Sequence, residues 1–279
     1  MLLTLISLIS VAAAAVICYF TVGFDGFSWL WAAPLSFVGS YLVCLLLVFL
    51  FLYILSKTID QSVPQEEDSP FMRWVARMVC PAVFPLLHCR VRTKGLEKLP
   101  KDGRFLLVCN HLGILDPILL MAKMPDAQLA FISKQENADM FIIGSLMHRI
   151  LTQKINRDND REALRTIINC IKIVQADKAS IAVFPEGYTS RDHHLHKFRN
   201  GVFKIAQRAR VPIVVCTVTG TQNAFHNAGR GRRTDVTLHL VEVIPAEELE
   251  GVTTTVIGDR IHALMTADLA PYYGPAEEE

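Results

Sequence analysis

The first 24 residues of this 279-residue chain carry no charge; the first ionisable side chain of that kind is Asp25. That absence argues against a soluble N-terminus, because about 20 apolar residues suffice to cross a bilayer. A second uncharged run follows at residues 26–56, densest over residues 41–55. The first run has no basic segment ahead of it and a second hydrophobic run directly behind it, which disfavours a cleaved signal peptide. Cysteine pairs are missing too. The seven cysteines are scattered, odd in number and contain no CxxC, which excludes a disulfide framework and the usual zinc patterns and suits a reducing compartment. There is no internal repeat. There is also no bulk charge: 28 Lys and Arg stand against 27 Asp and Glu, so nothing in the whole-chain charge draws nucleic acid, and no nucleic-acid partner is expected.

What is present starts with membrane topology. Two spans joined by a short turn return the chain to one side. The turn holds Asp25 and no Lys or Arg, whereas Lys57, Arg73, Arg77, Arg90, Arg92 and Lys94 follow the second run. The positive-inside rule therefore predicts an integral membrane protein with its C-terminal bulk in the cytoplasm, and Trp29 and Trp31 as anchors at the far interface. A hairpin that dips into one leaflet is the alternative; either tethers the rest to membrane lipids. Residues 58–69 are polar and acidic and read as a linker. Residues 70–80 suit an amphipathic helix, lying in the interface with Arg73 and Arg77 near headgroups or else packed on the domain. Pro81 and Pro85 are expected to end it. The predicted organisation is a membrane hairpin at 1–56, a linker and interfacial helix at 57–88, and a catalytic domain at 89–279.

That last region alternates strands and helices. Strands are predicted at 89–92, 104–108, 129–133, 180–184, 211–218 and 235–243, and helices at 117–123, 158–176, 200–209 and 247–269. The fold class is α/β, a mostly parallel central sheet flanked by helices and preceded by the hydrophobic hairpin. Such folds place ligands at strand ends. Three strands end in polar clusters: Asn110-His111, Lys134-Gln135-Glu136, and Pro185-Glu186-Gly187-Tyr188-Thr189-Ser190-Arg191.

The first cluster carries the chemistry. His111 and Asp116 lie five positions apart just beyond a strand. If Asn110 caps a helix there, the two fall only approximately on one face. A carboxylate on one imidazole nitrogen fixes the tautomer and leaves the other nitrogen free to take a proton. The pair could activate a hydroxyl as a general base, or be a buried histidine bonded to a carboxylate for packing.

Asn110-His111 with Asp116-Pro117, then Phe184-Pro185-Glu186-Gly187, then Val211-Pro212-Ile213-Val214, in that order and spacing, resemble the glycerolipid acyltransferase family, which includes the 1-acylglycerol-3-phosphate acyltransferases. The resemblance spans roughly residues 90–221. It implies that His111 deprotonates the acceptor hydroxyl, that Asp116 orients His111, and that the oxygen attacks the thioester of acyl-CoA or acyl-carrier protein. It implies no covalent acyl-enzyme, no metal and no cofactor beyond that donor. Lys134 and Arg157 match the family's phosphate-binding pair, with Gly144 between them; Glu186 and Gly187 match the motif thought to position the acceptor. There are departures. Where the family has Thr-Arg-Ser after Glu-Gly, this chain has Tyr188-Thr189-Ser190, with Arg191 as a possible stand-in. Val215 replaces a proline and Leu151 a glycine. His193-His194-Leu195-His196 could hold zinc, but is expected to be a solvated loop over the pocket.

The sequence thus predicts a membrane-bound enzyme that acylates 1-acylglycerol-3-phosphate to phosphatidic acid in phospholipid biosynthesis. Its rivals are the same chemistry on another lysolipid, a thioesterase, and a non-catalytic lipid-binding protein on the same fold.

Overall fold

The computed structural model describes residues 1–23, 26–140, 142–156, 159–190 and 192–274, with backbone alone at 138 and 139. The chain divides into two compact units, residues 1–62 and 63–279.

The first unit is two helices, α1 (Leu2–Thr21) and α2 (Trp29–Lys57). Each is long and apolar enough to cross a membrane. They pack on each other through a four-residue repeat on α1, where Ile6, Ser10, Ala14 and Cys18 are buried. The Ser10 hydroxyl turns back to the Ile6 carbonyl, 2.8 Å away. Small side chains at that spacing let two apolar helices approach closely. Asp25 lies outside the described residues.

The second unit opens with α3 (Pro70–Leu86). Its N-terminus is capped by Ser69, whose side chain accepts from the Met72 amide. Contrary to the sequence expectation, α3 runs on through Pro81 and Pro85. Arg73 takes the second of its two expected places, packed on the domain. Its side chain is partly buried, pairs with Asp68 at 3.0 Å and donates to the carbonyls of Leu129, Gln128 and Ile150. It therefore fastens α3 to the domain instead of meeting headgroups. Arg77 is exposed and pairs with Asp126. Met72 and Val75 are buried, while Phe71 and Trp74 stay exposed and stacked, ring centres 6.0 Å apart.

The rest alternates strands and helices, with α5, β4 and α8 additional to the predicted elements: β1 (Cys89–Lys94), β2 (Leu106–Cys109), α4 (Leu115–Lys123), β3 (Leu129–Lys134), α5 (Ile143–Arg149), β4 (Gln153–Ile155), α6 (Asp160–Gln175), β5 (Ser180–Val183), α7 (Lys204–Ala209), β6 (Ile213–Thr219), α8 (Ala224–Ala228), β7 (Thr234–Ile244) and α9 (Thr254–Tyr273). The strands form one sheet in the order β1-β7-β6-β2-β5-β3-β4. All neighbours are parallel except β6 and β7. β2, β5 and β6 are buried throughout, which is why they read as unbroken apolar runs, whereas β7 alternates. Successive side chains on a strand face opposite layers. Leu106 and Val108 join Ile167, Cys170, Ile261 and Met265 of α6 and α9 in one core. Leu107 and Cys109 join Phe84, Leu119 and Leu120 of α3 and α4 in the other. The parallel register of β3, β5, β2 and β6 brings their C-terminal ends to one edge.

Candidate active site

At that edge β2 gives way to Asn110 and His111. Asn110 does not cap a helix. Its amide nitrogen donates to the Val218 carbonyl at 2.9 Å, and its oxygen accepts from the Val218 amide at 2.7 Å. It continues the β2–β6 pairing through a side chain and so fixes where the strand ends. His111 follows, with its ring stacked on Phe184 at 4.2 Å.

Asp116 lies in the first turn of α4, where a carboxylate is favoured by the helix dipole. It is fully buried. Its Oδ2 meets His111 Nδ1 at 2.8 Å and accepts from the amides of Leu112 at 2.6 Å and Gly113 at 2.8 Å. Its Oδ1 accepts from the Thr221 hydroxyl. A buried carboxylate needs such partners to stay charged. The arrangement assigns the Nδ1 proton to the Asp116 side and leaves Nε2 as the nitrogen that can take a proton. His111 lines a groove of about 320 Å³, walled by Ile118, Met121, Phe131 and Met147 with Lys134 and Thr189 among its polar residues.

Glu186 is 1% exposed, and both of its carboxylate oxygens meet backbone amides. Oε1 accepts from the His111 amide and Oε2 from the His196 amide, both at 3.1 Å. The Ser190 amide in turn donates to the His111 carbonyl at 2.9 Å. Glu186 thus ties the His111 backbone to the loop that follows β5. Burial pushes its carboxyl up to about 7, although the two amides pull the other way. Gly187 borders the groove and holds φ at +85°, a left-handed conformation that favours glycine.

Lys134 stands at the end of β3, lines the groove and pairs with Glu136 at 2.9 Å. Arg157 and Arg191, the other expected anion contacts, lie outside the described residues. The histidine loop is organised by Asp192, which accepts from the Ser190 hydroxyl, the His194 amide and His196 Nε2. The Ser190 bond is the main cause that lowers its carboxyl to about 2. Among the described residues no group of three or more His, Cys, Asp or Glu is arranged to hold a metal ion. Cys109, next to His111 in sequence, is fully buried. Burial raises its thiol well above the ordinary value, so it is a core residue and not a thiolate nucleophile.

Sequence reasoning missed Thr221 and His196 as parts of this arrangement. Both act through contacts that only the folded chain creates: one across 105 positions, the other through a backbone amide, which has no residue-type signal.

Residues 90–219 match the family model described as Acyltransferase. Over this segment, just under half of the chain, the protein is similar to that family. The segment contains the His111–Asp116 pair, Lys134 and Glu186; Thr221 lies just beyond it. The chain is 30% identical to a 1-acyl-sn-glycerol-3-phosphate acyltransferase of Cocos nucifera, over 58% of this chain and 53% of that protein. It is 27% identical to the human 1-acyl-sn-glycerol-3-phosphate acyltransferase beta, over 63% of each. The matched parts therefore span about half to somewhat under two thirds of these relatives. The fold resembles the crystal structure of the 1-acyl-sn-glycerophosphate acyltransferase PlsC of Thermotoga maritima, with TM-score 0.58 and 20% identity over 72% of this chain and 79% of that one.

Proposed function

We propose that the protein is a membrane-bound acyltransferase that moves a fatty acyl group from a thioester donor to the free hydroxyl of 1-acylglycerol-3-phosphate, giving phosphatidic acid. The observation that carries this reading is the 2.8 Å contact between His111 Nδ1 and the buried Asp116, with the other ring nitrogen left to a largely apolar groove. Nε2 takes the proton of the acceptor hydroxyl as its oxygen attacks the thioester carbonyl. The intermediate expels the thiolate, which takes the proton back from Nε2. The step needs no covalent acyl-enzyme. Lys134 supports binding of an acceptor phosphate, with Arg157 and Arg191 as its partners in that role. The donor is acyl-CoA or acyl-carrier protein, and α1 and α2 hold the enzyme at its lipid substrates. The basic residues after α2 favour a cytoplasmic catalytic unit, and Phe71 and Trp74 favour contact of α3 with the lipid interface.

One observation favours a second acceptor. Thr189, which borders the groove, stands where the family resemblance expects an arginine, so a lysolipid with a larger headgroup is the alternative. The test is the purified protein in vesicles, given labelled acyl-CoA or acyl-carrier protein and a panel of lysolipids. Preferred acylation of 1-acylglycerol-3-phosphate is expected. Preference for another lysolipid would remove the headgroup assignment and leave the base chemistry. Hydrolysis of the donor without transfer to any lysolipid would make the protein a thioesterase instead. No reaction with any pair would sink the reading.

A further inference from the structure

The Asp116 carboxylate is held from both sides. Its own loop supplies the Leu112 and Gly113 amides, and Thr221 approaches Oδ1 from beyond β6. Thr221 is 2% exposed and sits in a tight turn, residues 220–223, that leaves the sheet. The turn has little freedom on its β7 side. Gly220 has φ +87°, and a Cβ there would lie 2.1 Å from the Asp235 carbonyl oxygen. On its other side the turn meets the C-terminal helix. Gln222 Nε2 donates to the Tyr273 hydroxyl at 3.1 Å. Burial first, with the Asp116 charge as a smaller contribution, raises the Tyr273 phenol, so it stays protonated and neutral beside the carboxylate. The helix is itself registered on the sheet five residues earlier, where Asp268 accepts from the Thr217 hydroxyl of β6 and pairs with His239 of β7. Ile261, Met265 and Leu269 bury the same helix.

We propose that α9, which lies beyond the acyltransferase segment, completes the active site: Tyr273 fixes Gln222, and the turn so fixed holds the Thr221 hydroxyl on Asp116. Thr221 and Tyr273 are then positioning residues, acting on the reaction through the Asp116–His111 pair; this rests on the reading of His111 as the base. A carboxylate that loses one of its donors is free to rotate, and the imidazole it orients moves with it.

The test is transfer kinetics of the full chain in vesicles. Thr221→Val, nearly isosteric, is expected to lower kcat about tenfold, the scale of one hydrogen bond to a charged group, with KM within about twofold of the parent. Thr221→Ser, which keeps the hydroxyl, is expected to restore kcat. Tyr273→Phe is expected to lower kcat about threefold alone and to add nothing to Thr221→Val, because both act on one contact. Parent-like kcat in Thr221→Val, or a Tyr273→Phe loss that multiplies in full on the Thr221→Val background, would overturn the proposal. A second readout needs no turnover. The low-field proton resonance of the His111 Nδ1–H, assigned by its loss in His111→Ala, should shift or broaden in Thr221→Val. If it stays in place the proposal fails, whether or not the parent transfers acyl groups; absence of transfer in the parent counts against the function alone.

Discussion

Two of the histidine–aspartate pairs among the described residues are built alike. His111 meets Asp116 at 2.8 Å through Nδ1, and His239 meets Asp268 at 2.8 Å through Nδ1. In each pair a threonine hydroxyl from the β6 side, Thr221 or Thr217, reaches the carboxylate's other oxygen. Residue types and distances do not separate them; their places in the fold do. His239 lies within β7, and Asp268 on α9 is 22% exposed at its side chain. The pair ties a helix to a sheet. His111 lies beyond the C-terminal end of a central parallel strand, against a fully buried carboxylate that two backbone amides also bind. Parallel strands leave a crevice at that edge, so only this imidazole lines the groove. On the proposed reading, what makes one such pair a base is where the sheet ends, not its own composition.

The largest effect that could break this contrast is on transfer. His111→Ala should lower the rate at least about a hundredfold, the lower range for losing a general base, while His239→Ala should stay within about threefold of the parent. Rates and thermal melting of both variants, measured side by side, decide it. A large loss of rate in His239→Ala without a loss of stability would place the second pair in the chemistry.

The next effect sharpens the contrast through pH. The active-site pair has a buried carboxylate, Glu186, bonded to the His111 amide, whose carboxyl burial raises from 4.5 to about 7. A carboxyl raised in the folded state stabilises the fold fully below the unfolded value. That contribution is lost as pH rises through the folded value, because ionising it when buried is unfavourable. The window therefore runs from about pH 4.5 to about pH 7. Across it the parent should lose up to roughly 3 kcal/mol relative to Glu186→Gln, which has no charge to bury. Urea midpoints of both proteins at the two ends of the window measure this. A difference that does not change with pH would mean that Glu186 is ionised throughout.

Much of this was legible in the sequence, for reasons the contrast makes plain. Buried parallel strands announce themselves as apolar runs such as Leu106-Leu107-Val108, and all six predicted strands exist. β4 was missed because three residues leave no periodicity to read. His111 and Asp116 were legible because they are close in sequence. What they depend on was not. Thr221 is 105 positions from Asp116, and Tyr273 is 51 from Gln222. Glu186 was visible as a residue, but the donors it accepts from are backbone amides, so its work on His111 had no side-chain partner to point to. The spacing of Arg73 and Arg77 on one helix left headgroup contacts and packing on the domain both open. The fold turned Arg73 inward onto three carbonyls, a use of arginine that depends on where loops end and not on amphipathic pattern.

The smallest effect concerns the second pair alone. Asp268→Asn removes a charge from a contact that is partly open to water, so screening discounts it, and the Thr217 hydroxyl can still find the remaining carbonyl oxygen. The expected loss is about 1 kcal/mol in stability. Transfer should fall no more than about threefold, since Tyr273 keeps its own hold on Gln222. The contrast predicts a different balance for Asp116→Asn. There the carbonyl oxygen can keep the Leu112 and Gly113 amides and His111 only by turning the new NH2 on Thr221, and the charge that holds the His111 Nδ1 proton is gone, so rate and stability fall together. Melting temperature and rate for the two asparagine variants, plotted against each other, should separate the pairs. The Asp268 variant moves mainly along stability and the Asp116 variant along both. Coincidence of the two would mean that α9 is bound to the active site as tightly as α4 is, and that the two pairs work as one.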